Sequence, residues 1–265
     1  LLEDARSSGM DVSIFCDEIG EGPPLVVLHG WGADSRFMAP VVEHLCDRYC
    51  TLSFDLPGRG QSEWSFEMKH IDHVADGIIP FLPESAVFLG WSYGGLVAQS
   101  IAIRYPDLVK RMIGVCTTPK FVTEEGWPGI PEPGFTPEFE KAKPEGYLPF
   151  ITSFIETEFP EDQRSSQQYQ TLMQLAQESP KVNMDILVHG VGFCDKADFR
   201  KGLPELSMPV DFIFGGKDDT IPREAHAKIK EIAPNTNIHV IDDAKHLPFW
   251  THPKEFFSII DTILK

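Results

Sequence analysis

Gly90-Trp91-Ser92-Tyr93-Gly94 places one serine between two glycines, directly after the apolar run Val87-Phe88-Leu89 and before Gly95-Leu96. A G-x-S-x-G spacing between a strand and a helix makes a nucleophile elbow. The turn is tight enough to force strained dihedrals on the serine, so its flanks must lack bulk. The serine oxygen is then held over the N-terminus of the next helix, whose partial positive charge favours a developing anion. The chemistry this suits is attack on an acyl carbonyl.

A serine hydroxyl is inert near neutral pH unless a base takes its proton. Of nine histidines, His246 sits best for that task, in Asp243-Ala244-Lys245-His246-Leu247-Pro248-Phe249 between the last apolar run and the final helix. His239 falls inside a strand and His252 lies beyond the loop, beside Pro253. His70 and His73 form a spaced pair on a helix without further ligands, and Cys46 and Cys50 lack the second pair a zinc site needs, so no metal site is expected. The base also needs a carboxylate to fix its tautomer. Asp218 and Asp219 both follow Phe212-Ile213-Phe214 in one loop, and spacing alone leaves the choice between them open. The unused one is a turn or helix-capping residue. An oxyanion hole needs two backbone N–H groups, one from the residue after the nucleophile and one from an early strand's loop. Tyr93 supplies the first, and Trp31 in His29-Gly30-Trp31-Gly32 the second.

These residues are far apart in the chain, so the elements between them must return each one to a common edge. Short, continuous apolar runs at 25–28, 50–54, 86–89, 112–115, 210–214 and 237–241 read as strands buried on both faces. Helical patterns lie between them, such as 96–105 ended by Pro106 and 223–232 ended by Pro234. Alternating strands and helices predict an α/β fold with a mostly parallel central sheet. The interval from Thr118 to Pro209 is far longer than the dozen or so residues a crossover needs. It is rich in aromatics, with helical candidates at 148–158 and 165–178. Extra core helices would be the plain reading. A helical cap over the carboxyl edge, where open α/β sheets bind ligands, fits the aromatics better. The expected organisation is a core of residues 10–118 and 190–265 with the cap at 119–189, inserted after the fourth of these strands.

Composition narrows the function classes. The 265 residues carry 23 Lys and Arg against 40 Asp and Glu, a net charge of −17, which argues against a nucleic-acid binder. No run approaches the roughly 18 apolar residues of a membrane span. Glu3, Asp4 and Arg6 interrupt any secretory signal, and residues 1–9 read as a leader ahead of a start at Met10. Five sparse cysteines suit a reducing cytoplasm. A soluble, acidic, cytoplasmic monomer without cofactor is expected.

Together with Asp55-Leu56-Pro57-Gly58-Arg59-Gly60-Gln61-Ser62, these motifs resemble the α/β-hydrolases. More narrowly, the chain resembles the biotin-pathway carboxylesterases that hydrolyse pimeloyl-acyl-carrier-protein methyl ester. The match spans His29 to His252 and includes Trp127-Pro128-Gly129-Ile130 in the cap, Ser207-Met208-Pro209, and His252-Pro253. The resemblance implies a triad of Ser92, Asp218 and His246. It also implies an acyl pocket lined by Trp31, Trp91 and Phe154, bounded by Tyr93 and His246, and an acyl-carrier protein bearing the pimeloyl ester as partner. One feature departs from that family: where its cap offers arginines to the acidic carrier, Pro149, Ser153, Ser166 and Gln170 stand here. Residues 119–189 hold 12 acidic and 5 basic side chains, although Lys141, Lys143 and Arg164 offer a local basic patch. Small acyl esters are the alternative substrates.

Overall fold

The computed structural model describes residues 11–179 and 182–265, so the expected leader at 1–9 and the start at Met10 lie outside the described residues. Among the described residues, seven strands form one sheet: β1 (Cys16–Ile19), β2 (Pro24–Leu28), β3 (Cys50–Phe54), β4 (Ala86–Trp91), β5 (Val109–Val115), β6 (Val210–Gly215) and β7 (Asn237–Ile241). Their order is β1-β3-β2-β4-β5-β6-β7, parallel throughout except where β1 runs antiparallel to β3. The six apolar runs are all strands. β1 was not expected, because Cys-Asp-Glu-Ile is charged and mostly exposed, as an edge strand with one free side can be.

The strands nearest the sheet centre are almost wholly buried: β4 pairs with β2 on one side and β5 on the other, register Leu28↔Gly90↔Gly114. The helix Tyr93–Arg104 packs on β4 and β5, with ten of its twelve residues buried. It starts three residues earlier than its apolar pattern suggests, because Gly94 and Gly95 read as turn residues but lie in the first turn. Further amphipathic helices at Arg223–Ile232 and Pro253–Ile263 pack beside β7, and Ile71–Ile78 packs on the helix Tyr93–Arg104.

The long interval between β5 and β6 contains the helices Thr136–Ala142, Tyr147–Glu158, Gln167–Gln177 and Met184–Lys196. They lie over the carboxyl ends of the strands. Trp31 Nε1 donates to the Leu187 carbonyl at 2.9 Å, and Tyr93 Oη to that of Gly190 at 3.2 Å. The helix Met184–Lys196 runs through the expected cap limit at residue 189. Gly190 lets the Trp31 ring lie against it, since a Cβ there would meet that ring at 2.1 Å. Among the described residues, no helix is long and apolar enough to cross a membrane.

Candidate active site

β4 ends at Trp91 and the next helix begins at Tyr93, which leaves Ser92 alone in the turn with φ 53° and ψ −113°. Few side-chain-bearing residues adopt a positive φ, and here the surroundings over-determine it. Ser92 N–H donates to the Val115 carbonyl at 2.8 Å, and the Ser92 carbonyl accepts from Thr117 Oγ1 at 2.8 Å. A Cβ on Gly90 would come within 2.4 Å of the Gly94 carbonyl oxygen, and one on Gly94 within 2.3 Å of that of Leu28. Both flanks are therefore closed to any larger residue.

β6 and β7 bring the other two groups to the same edge. His246 Nε2 lies 2.8 Å from Ser92 Oγ, and His246 Nδ1 lies 2.7 Å from Asp218 Oδ2. Asp218 Oδ1 accepts from both the N–H and the hydroxyl of Thr220, at 2.8 and 2.6 Å. Asp219 points outward, with its side chain 84% exposed beside Lys245. The tie that spacing left open is resolved by direction: only Asp218 faces the ring. The competing histidines are engaged elsewhere, His239 with Asp211 and His252 with Thr251, while His70 and His73 lie ring against ring.

Electrostatics poise the pair. Burial pushes the His246 imidazole toward its neutral form. The charge and hydrogen bond of Asp218 outweigh that, aided by the charge of Glu158, so the pKa is lifted above the ordinary histidine value. Burial pushes the Asp218 carboxyl up, but His246 and the two Thr220 hydrogen bonds bring it below its usual range. Cys116, Asp218 and His246 offer donor atoms within 4.8 Å of one another. They do not suit a cation, since Asp218 and Nδ1 already satisfy each other and burial holds the Cys116 thiol well above its ordinary pKa, protonated.

Ser92 and His246 open onto a cavity of about 190 Å³ lined by Trp31, Trp91, Tyr93, Phe150 and Phe154, with Glu138 its one acidic side chain. The residues expected to bind substrate thus border one apolar space. A larger, open groove of about 710 Å³ lies at the other end of the strands, beside Arg111, Asp211 and His239, and holds none of these groups.

Residues 23–253 match the family described by the alpha/beta hydrolase fold. The chain belongs to the alpha/beta hydrolases. It is similar to proteins named pimeloyl-(acyl-carrier protein) methyl ester esterase. That of Aeromonas hydrophila is 30% identical over 94% of this chain and 98% of its own. That of Vibrio campbellii is 32% identical over 93% and 96%. Among solved structures, an esterase from Exiguobacterium antarcticum shares the fold, with TM-score 0.83 at 20% identity over 96% of both chains.

In this alpha/beta hydrolase several further residues support the site; His29, Arg59 and Trp127 stand inside the motifs the sequence shows, but spacing assigns them no role. His29 is buried, and its Nε2 accepts from the Leu56 N–H at 2.9 Å, so its proton sits on Nδ1, which donates to the Gly30 carbonyl at 2.7 Å. Burial keeps that ring neutral by lowering its pKa. Arg59, almost fully buried, donates to the Ala33 and Gly32 carbonyls at 2.7 and 3.0 Å. These bonds fix the loop that carries the Trp31 N–H. Tyr93 begins its helix, where backbone N–H groups lack intrahelical partners. Trp127, in the cap match, is buried and donates to the Lys120 carbonyl at 2.9 Å, away from the cavity. It anchors the start of the cap. Thr220, Tyr147 and Glu158 carry no motif, and only their contacts reveal them.

Proposed function

We propose that this protein is a serine carboxylic ester hydrolase that releases pimeloyl-acyl-carrier protein from its methyl ester, acting as a cytoplasmic monomer. The observation that carries the reading is the unbroken hydrogen-bonded chain from Ser92 through His246 to Asp218 at the mouth of an aromatic cavity. In the reaction, Ser92 Oγ attacks the ester carbonyl while His246 Nε2 takes its proton, and Asp218 stabilises the imidazolium. The backbone N–H groups of Trp31 and Tyr93 face the charge that develops on the carbonyl oxygen. His246 then returns the proton to the departing methoxide, and methanol leaves. Water, deprotonated by the same ring, attacks the acyl-enzyme; His246 hands that proton to the departing Ser92 Oγ, and the acid product leaves and ionises to its carboxylate. Trp31, Trp91, Tyr93 and Phe154 hold the acyl chain against the nucleophile. The names of the relatives support the pimeloyl ester as substrate.

The second reading is an esterase, or a C–C bond hydrolase, acting on a free small substrate. What favours it is the cap's charge. Pro149, Ser153 and Gln170 are exposed and uncharged, and Ser166 caps the helix that follows it. Arg164 is spent on the carbonyls of Glu156 and Phe159, and Lys143 pairs with Glu140 and Asp185.

Hydrolysis of carrier-bound pimeloyl methyl ester and of p-nitrophenyl butyrate is measured side by side, for wild type and Ser92→Ala. We expect both activities in wild type, and a loss of about 10³-fold or more in Ser92→Ala with an unchanged melting transition. Wild type but not Ser92→Ala should label with a fluorophosphonate and rescue a biotin-requiring strain. Activity on the small ester alone, without rescue, decides for the second reading.

A further inference from the structure

The helix Tyr147–Glu158 meets the site at three points. Its first residue, Tyr147, donates its hydroxyl to the Gly32 carbonyl at 2.5 Å, on the loop that carries Trp31. Phe150, Ile151 and Phe154 line the cavity. Its last residue, Glu158, is buried, and its Oε2 accepts the backbone N–H of His246 at 2.6 Å.

That carboxylate is costly where it stands. It is withdrawn from water, it sits at the negative end of its own helix, and it shares its surroundings with Asp218. Nothing in the helix needs it, because the helix would cap as well with a neutral residue. The gain lies across the gap. The His246 peptide is held on its other side by Trp91, whose Nε1 donates to the His246 carbonyl at 2.8 Å. The main chain of His246 therefore hangs between the cap, through Glu158, and the residue before Ser92.

We infer that Glu158 is a positioning residue for His246, tying the cap helix that lines the acyl cavity to the main chain of the base. This rests on the reading of His246 as the base. Four groups face the carboxylate: His246 and Lys245 from the loop after β7, Asp218 from the loop after β6, and Cys116 from the end of β5. Burial lifts the Glu158 carboxyl above its ordinary value, with the His246 charge and N–H opposing and Asp218 adding. In return, the Glu158 charge favours the imidazolium of His246. The residue thus acts on the base in two ways, by direction through the N–H and by charge through space.

Two variants of the full chain separate these actions, with p-nitrophenyl butyrate as substrate. Glu158→Leu removes the acceptor and leaves the His246 N–H unpaired. It is expected to lower kcat about tenfold or more, with KM within about twofold and the melting transition nearly unchanged. Glu158→Gln keeps an acceptor and drops the charge, so kcat should recover most of its value. The acid limb of its kcat/KM profile should move to lower pH, because the imidazolium has lost a neighbour that favoured it. Wild-type kcat in Glu158→Leu overturns the inference, as does a Glu158→Gln enzyme as slow as Glu158→Leu with an unmoved limb. Should Glu158→Leu fail to fold, the limb of Glu158→Gln decides alone: a downward shift supports the inference and no shift overturns it. Wild-type enzyme that neither turns over the ester nor labels at Ser92 would overturn the esterase reading itself, a separate outcome.

Discussion

At the scale of single residues, His246 stands between burial, which disfavours its charge, and Asp218, which favours it more. A base works only when neutral, so with His246 in its proposed role kcat/KM should rise as pH passes upward through a value above that of a free histidine. The same shift bears on stability. A folded pKa raised above the unfolded value contributes stability that is full below the unfolded value and lost as pH rises through the folded one. For Asp218, whose folded pKa is lowered, the contribution is present above the unfolded value and lost as pH falls through the folded one. As pH rises through the raised His246 pKa, that contribution is given up while the Asp218 contribution, lost only on the acid side, is kept. Asp218→Asn tests the pairing. An initial-rate pH series should show the acid limb moved to lower pH and the plateau lowered by about 10³–10⁴-fold. A limb that stays in place would mean Asp218 is not the charge that tunes the ring.

At the scale of elements, the elbow is a strand and a helix forced so close that only glycine fits between them. A Cβ on Gly94 would press on the Leu28 and His29 carbonyl oxygens at 2.3 and 2.6 Å, both backbone atoms of β2 and the loop beyond it. Neither can yield without moving the strand that leads to Trp31. Gly94→Ala is therefore expected to cost about 1–3 kcal/mol, read as a lower urea midpoint with unchanged slope. It should also slow fluorophosphonate labelling of Ser92, since relief of the clash shifts that side chain relative to Trp31. The elbow's sequence pattern was legible because this steric rule admits one residue type. The helix start was not, because a glycine chosen for close approach reads as a glycine chosen for a turn. β1 escaped for a different reason: its one sheet partner is β3, and its exposed side chains leave no apolar signature.

For the whole molecule, a net charge of −17 and a segment, residues 119–189, with 12 acidic against 5 basic side chains shape encounter more than chemistry. On the proposed reading, an acidic carrier protein approaching this segment is repelled over a distance that shrinks as salt rises. Raising ionic strength from about 0.05 to about 0.3 M should therefore increase kcat/KM for carrier-bound ester several-fold. An uncharged short ester should change by less than about twofold under the same conditions. A fall with salt on the carrier-bound ester would point instead to a local basic dock that the net charge conceals.

The amino-acid sequence by itself determined what is local in physical origin. Buried parallel strands must be apolar throughout, and the elbow must be flanked by residues without bulk. The order serine, aspartate, histidine follows from which loops leave the carboxyl edge. Only the tertiary structure showed what depends on direction: that Asp218, which spacing could not choose and only the family resemblance implied, turns toward the ring while the adjacent Asp219 does not, and that Glu158, which no motif marks, reaches the His246 N–H from the cap. Residues next to each other in a loop share a neighbourhood but not an orientation. Contacts made across 88 or 154 positions exist only once the sheet and the cap have closed on one another.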